Sequence, residues 1–116
     1  MKIETERLLI RELGEKDESD YFEIFGNPAI SRYDDFTPIM ETEAAENIHD
    51  IIEAYKTETS EKEYGVELKS EVKIVGVLYL NLENGIWFTG YHFNEKYHGK
   101  GYAAEAVSAF LNDLEK

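Results

Sequence analysis

The chain contains no cysteine and only two prolines in 116 residues. Without thiols it can hold no disulfide, no thiolate zinc site and no cysteine nucleophile, and such a composition suits a reducing compartment. A cytoplasmic protein is the expectation. Basic residues are few: 12 Lys and Arg face 25 Asp and Glu, for a formal net charge of −13. A field of that sign repels phosphate backbones and anionic lipid at long range, which argues against nucleic-acid and membrane partners and favours cationic or amine-bearing ones. Part of the acidity is a solvated surface and carries no function. Long apolar runs are missing too. The run "IVGVLYL" at residues 74–80 falls far below the ~20 residues of a membrane span, and the charged start "MKIETERLLIREL" has no signal-peptide core. His49, His92 and His98 are scattered, with no helical i, i+4 pair and no carboxylate cluster, so no metal site is expected. Ser60 and Ser108 lack the glycine elbow of an activated serine.

What is present suffices for one core. With 42% hydrophobic residues the chain reads as a single domain over residues 1–116. "RLLIREL" at residues 7–13 is apolar and branched, a strand that turns at Gly14. Asp17 is placed to cap a short helix that presents Tyr21, Phe22 and Phe25 on one face and stops at Gly26-Asn27-Pro28. Residues 29–40 mix aromatics with turn formers and read as a loop with a helical turn. From Thr42, the expected cap, Ala44, Ala45, Ile48, Ile51, Ile52 and Tyr55 recur at helical spacing. "KEYGVELK" and "VKIVGVLYLNLE" read as a hairpin about Ser70-Glu71. "GIWFTGYHF" is the next strand, with Trp87, Thr89, Tyr91 and Phe93 on one face and Ile86, Phe88 and His92 on the other; Trp87 and Phe88 are assigned to the core. A last helix from Gly101 carries the stripe Ala103, Ala106, Val107, Phe110, Leu111 and Leu114. This order of elements implies an α/β (α+β) architecture, a mixed and mostly antiparallel sheet covered by helices.

Between the last strand and the last helix stands "NEKYHGKGYAAEAV", residues 94–107. Gly99 and Gly101 allow close approach of the backbone to a guest, and Lys96, His98 and Lys100 form a basic island in an acidic chain. The helix start adds unsatisfied N–H groups and the positive end of a dipole, so an anion, phosphate above all, is the guest this chemistry suits. The stretch is neither a P-loop, having no Ser or Thr after the lysine, nor the dinucleotide fingerprint. On spacing alone, a turn that only caps the helix remains open.

The stretch "VGVLYLNLENGIWFTGYHFNEKYHGKGYAAEAV", together with "TERLLIREL" and "EIFGNPAISRY", resembles the GNAT N-acetyltransferase superfamily, and within it the ribosomal-protein N-terminal acetyltransferases of the RimJ/RimL type. That family's diphosphate motif, Q/R-x-x-G-x-G/A, falls on His98-Gly99-Lys100-Gly101-Tyr102-Ala103, with His98 departing from Gln or Arg. The resemblance implies acetyl-CoA as cosubstrate and no metal. Its diphosphate would lie on the amides of Gly99, Lys100, Gly101, Tyr102 and Ala103 beside His98, and its pantetheine arm along Tyr91, His92 and Phe93. Acetyl would pass by direct attack to a primary amine: a protein N-terminus, a ribosomal protein among them, or a cationic small molecule.

An attacking amine must lose a proton. Glu67 on the second expected strand and His92 beside the cofactor are the catalytic candidates. The resemblance also implies a further strand, a helix and two more strands after "YAAEAVSAFLNDLEK", and with them the tyrosine that protonates the thiolate. The expectation is therefore the N-terminal portion of an acetyltransferase domain, through the diphosphate-loop helix. A homodimer or a complementing chain would cover its open edge. A noncatalytic CoA-binding or oligomerising fragment is the alternative reading of the same residues.

Overall fold

In the computed structural model of the chain, five strands lie side by side in chain order: β1 (Lys2–Glu4), β2 (Leu8–Arg11), β3 (Glu61–Leu68), β4 (Lys73–Glu83) and β5 (Ile86–Phe93). Every pairing is antiparallel. Among the described residues three α-helices complete it: α1 (Glu18–Phe25), α2 (Glu41–Tyr55) and α3 (Tyr102–Leu114). The structure describes residues 1–29, 37–57 and 61–115, so most of the loop expected over residues 29–40 lies outside the described residues.

Strand alternation sends side chains to two faces, and each face has its own helical cover. Leu8, Ile10, Tyr64, Val66, Leu68, Leu78 and Leu80 pack under Ala106 and Phe110 of α3. Ile74 and Val77 pack against Tyr21, Ile24 and Phe25 of α1 and against Ala44, Ile48 and Ile51 of α2. The result is three layers, helix, sheet and helices. One irregularity shapes the sheet. Val66 pairs with Gly76 and Glu67 with Ile74, so Val75 is an extra residue in β4, a β-bulge. The Val75 carbonyl accepts the Asn94 amide at 2.8 Å, which fixes where the chain leaves β5.

Several local expectations change. Asp17 flanks α1, but its side chain does not cap the helix; its oxygens accept from Arg11 at 2.8 and 2.9 Å and from the Gly14 N–H at 2.8 Å. Arg11 also holds Glu67 of β3 at 3.0 Å, so Asp17 serves a guanidinium withdrawn from solvent rather than the helix end. Burial pushes the Asp17 carboxyl up, but donors from Arg11 and Gly14 outweigh it and keep it below its ordinary range. Thr42 is not the cap of α2. Met40 is, because Glu43 reaches back to the Met40 N–H at 3.1 Å and leaves Thr42 inside the first turn. The apolar stripe of α2 is narrower than its spacing suggests, with Ala45 exposed. In α3, Leu111 is 42% exposed, and the buried stripe centres on Ala106 and Phe110. Trp87 and Phe88 lie outside the core, 53% and 51% exposed, because they sit in the first half of the outermost strand, where every residue from Ile86 to Thr89 is exposed. Among the described residues, no helix is long and apolar enough to cross a membrane.

Phe110 joins α3 to the sheet: it is 1% exposed and its ring centroid stands 5.9 Å from that of Tyr64. Phe110→Ala is expected to cost about 3–5 kcal/mol, the usual loss for emptying an aromatic site in a core, read as a lower urea midpoint in equilibrium unfolding.

Candidate functional site

The site begins where β5 ends. Asn94 is 1% exposed, and its side-chain oxygen accepts the Lys96 amide at 3.0 Å, folding residues 95–97 into a single 3-10 turn. The His98 ring returns Nε2 to the Phe93 carbonyl at 2.9 Å; a carbonyl only accepts, so that nitrogen carries the proton. The chain then passes through two left-handed glycines, Gly99 at φ 80° and Gly101 at φ 81°, before α3 starts at Tyr102. A side chain at Gly101 would be strained by the backbone and would place its Cβ 3.4 Å from Arg7. Among the described residues, the amides of Gly99, Lys100, Gly101, Tyr102 and Ala103 donate to no acceptor of the chain itself, whereas the Gly101 carbonyl already receives the Glu105 amide at 3.1 Å. Five consecutive N–H groups without an internal acceptor, at the positive end of a helix, make a seat for an anion.

A clamp from the opposite end of the sequence holds this loop. Glu105, in the first turn of α3, accepts from the Arg7 side chain at 2.7 Å, from the Arg7 amide at 3.1 Å and from the Thr5 hydroxyl at 2.5 Å. Arg7 reaches on to the Lys100 carbonyl at 2.9 Å and lies 4.6 Å over the Tyr102 ring. Burial pushes the Glu105 carboxyl up, but the Thr5 and Arg7 donors outweigh it and leave it below the ordinary range. Glu105, an acid at the positive end of the α3 dipole, is thus also the tie between α3 and the β1–β2 turn.

The loop forms one wall of a cleft of about 420 Å³. Ile24, Asn27 and Ala29 line it from the end of α1, Tyr91, His92 and Phe93 from β5, and His98, Gly99, Gly101, Tyr102 and Ala103 from the loop and α3. Of the nine residues assigned to cofactor binding from the sequence, eight therefore share this cleft; Lys100 does not line it, and its ammonium has no ion pair among the described residues. The other cation of the island is occupied, since Lys96 pairs with Glu23 at 3.1 Å. His92 is wedged edge-on between Phe25 and Tyr79, with centroids 5.5 and 5.4 Å away. Beyond β5 no further strand pairs among the described residues, so one edge of this strand keeps open backbone groups beside the cleft.

The two catalytic candidates are separated. His92 lines the cleft, while Glu67 lies outside its lining and is bound to Arg11. Sequence reasoning passed over Glu63, two pleats earlier on the same face of β3. It borders a second cleft of about 580 Å³ between α2 and the strands β3 and β4. Burial, with Glu61 adding to it, pushes the Glu63 carboxyl up to about 7. Strand alternation flags Glu63 and Glu67 equally, and only the partner of each tells them apart. Arg7 was likewise silent in the sequence, because nothing local connects it to residue 105.

With Arg7 42% and Glu105 20% exposed, solvent screens the clamp, so Arg7→Met is expected to lower global stability by only about 1 kcal/mol. Its effect should be local: amide hydrogen exchange speeds up at Glu105, whose N–H donates to the Gly101 carbonyl, and at residue 7, whose N–H donates to Glu105, while exchange around Phe110 changes only with global stability.

Comparison with known proteins agrees with this geometry. Residues 7–116 match the acetyltransferase (GNAT) domain family. The uncharacterized N-acetyltransferase YnaD of Bacillus subtilis is 32% identical over 113 residues, 96% of this chain and 64% of that protein. The uncharacterized N-acetyltransferase p20 of Bacillus licheniformis is 25% identical over 111 residues, 93% of this chain and 62% of that protein. The chain thus spans less than two thirds of the length of these relatives. Among solved structures, a GNAT-family acetyltransferase from Bacillus anthracis superposes with a TM-score of 0.83 at 30% identity, covering 96% of this chain and 64% of that one. The Salmonella typhimurium acetyltransferase that modifies the N-terminal serine of ribosomal protein L7/L12 superposes with a TM-score of 0.79 over 99% of this chain and 68% of that one; at 19% identity it shares the fold. A family match that starts at the clamp residue Arg7 and runs through the glycine loop to the end of the chain leaves one assignment: this protein belongs to the GNAT acetyltransferases.

Proposed function

We propose that the chain carries the cofactor half of an N-acetyltransferase site, in which acetyl passes from acetyl-CoA to a primary amine. The observation that carries this reading is the run of amides from Gly99 to Ala103 without internal acceptors. They would take the diphosphate, with the Lys100 ammonium supplying charge and His98 standing beside it. Tyr91, His92 and Phe93 would wall the pantetheine arm, whose amides find the open backbone edge of β5. Bound acetyl-CoA supplies an activated thioester carbonyl. A strand amide near Tyr91 or His92 is suited to hold the negative charge that develops on that oxygen as the amine nitrogen attacks. The carbon–sulfur bond then breaks, the amine gives up one proton and the thiolate takes one up. The His92 imidazole, in the cleft wall, is the group of this chain best placed to move the amine's proton. Glu67, held by Arg11, has a structural part in this reading.

The acceptor is narrowed less. The RimJ/RimL-like reading, supported by the activity of the Salmonella typhimurium neighbour on the N-terminal serine of L7/L12, points to a protein N-terminus, including that of a ribosomal protein, and to the cytoplasm. The net charge of −13 suits either such a basic partner or a small cationic amine.

Isothermal titration with acetyl-CoA is expected to show saturable binding, weakened about tenfold or more in Gly101→Val, a variant whose added Cβ meets Arg7 and a left-handed backbone. Circular dichroism establishes that the variant keeps its fold. Absence of binding to the wild-type chain, or equal affinity in a folded Gly101→Val, would overturn the reading. Equal competition by inorganic pyrophosphate would reduce the loop to a general phosphate seat.

A further inference from the structure

The second cleft has a chemistry of its own. Its walls are aromatic, Tyr21 and Phe25 from α1 and Tyr79 from β4, and Glu63 lies on its β3 side. The Glu63 side chain, half-buried, accepts no hydrogen bond and meets no cation among the described residues. Its neighbour Lys62 gives no help, since that ammonium is bound to the Ala54 and Thr57 carbonyls at 2.9 and 3.1 Å. The other titratable groups bordering the cleft are Asp50 of α2, Glu61 of β3 and the phenols of Tyr21 and Tyr79, all acidic or neutral. Tyr21 is itself hydrogen-bonded to Asn47. A carboxylate partly withdrawn from water without a counterion is costly, and a cation that enters the cleft removes that cost. An aromatic wall favours an organic ammonium, whose alkyl part it covers, over a strongly hydrated inorganic ion. A metal ion is a poorer guest, because no group of three or more carboxylate or imidazole ligands converges among the described residues.

We propose that this second cleft seats a cationic alkylamine, its ammonium against Glu63 and its chain along the wall formed by Tyr79 with Tyr21 and Phe25 behind it. Taking that amine as the acetyl acceptor rests on the acetyl-transfer reading above. The sheet supplies the connection. Glu63 is paired across the strands with Tyr79, and the Tyr79 ring meets His92 edge-on, so one ring separates this seat from the wall of the cofactor cleft. Specificity for a cation then comes from the cleft rather than from the overall charge of the surface.

The position of the Glu63 equilibrium makes the claim sensitive to pH. An alkylammonium keeps its charge to about pH 10, so between about pH 5.5 and 8 only the protein side changes. With the carboxyl raised to about 7, Glu63 is ionised and able to bind above that value, and neutral below it. Folding has the opposite preference. A carboxyl raised by folding favours the folded state below the ordinary carboxylate range and loses that advantage as pH rises through 7, so Glu63→Gln should be at least as stable as wild type at about pH 8.

The test is amide-resolved NMR of the full chain titrated with n-butylammonium chloride, without acetyl-CoA. Saturable shifts at Glu63 and Tyr79 are expected at about pH 8, about tenfold weaker in affinity at about pH 5.5, in Glu63→Gln, and with the neutral probe n-butanol. Equal affinity for butanol, no loss at the lower pH, or no saturable shift would overturn the site, and neither the pH series nor the butanol series requires a variant. The two readings fail separately. Amine binding in a chain that ignores acetyl-CoA leaves this cleft standing and removes acetyl transfer, whereas acetyl-CoA binding without amine shifts removes this cleft alone.

Discussion

The tie between Glu105 and the Arg7–Thr5 turn is the contact on which the cofactor side of the molecule depends. It spans 98 residues of sequence between Arg7 and Glu105 and joins the first turn of α3 to the edge of the sheet at β1–β2. Everything between the end of β5 and the body of α3 hangs from its two ends: the Asn94 turn on one side, the Arg7 clamp on the other. A loop with two left-handed glycines has many conformations open to it, and each costs entropy to exclude. Holding the Lys100 carbonyl and the Glu105 carboxylate with one guanidinium selects one of them. Backbone donors without internal acceptors can then be presented before any ligand arrives, which is the preorganisation an anion site requires.

The distribution of charge follows the same logic. In a chain so poor in bases, most cations are committed to structure: Arg11 to Asp17 and Glu67, Lys69 to Glu4, and Lys73 and Lys96 to Glu23. Lys100 is left over beside the glycine loop, and Glu63 is left over in the α2–β3 cleft. The exposed pairs among them contribute little stability one by one, whereas Arg11, Asp17 and Glu67 are withdrawn from solvent. Among the described residues, Lys100 and Glu63 lie without an ion pair, at the glycine loop and at a cleft, where charge is available for a guest.

Much of the architecture was legible in the sequence because it rests on period. The β3–β4 hairpin, the helical stripe of Ile48 and Ile51, and Phe110 beneath α3 all follow from spacing. The glycine loop was legible from its chemistry and from its resemblance to a known motif. What stayed hidden depends on contacts between distant residues. Asp17 had the right type for a helix cap, yet Arg11 claims it; Thr42 lost the cap of α2 to Met40 because Glu43 reaches back. Trp87 looks like core to any hydrophobicity argument, and only its place on the outermost strand exposes it. Alternation along β3 sets Glu63 and Glu67 on one face, but cannot say which of them meets Arg11 and which is left facing a cleft.

Among the described residues the amides of Gly99 and Gly101 lack an internal acceptor, and in the proposed function they receive one from the diphosphate of CoA. Amide-resolved NMR with the full chain and saturating CoA tests it directly, since an amide that gains a charged acceptor moves strongly downfield. Saturable downfield shifts at both glycines, with slowed hydrogen exchange at the same two positions, are the expected result. Unmoved glycine resonances in the presence of bound CoA would contradict it.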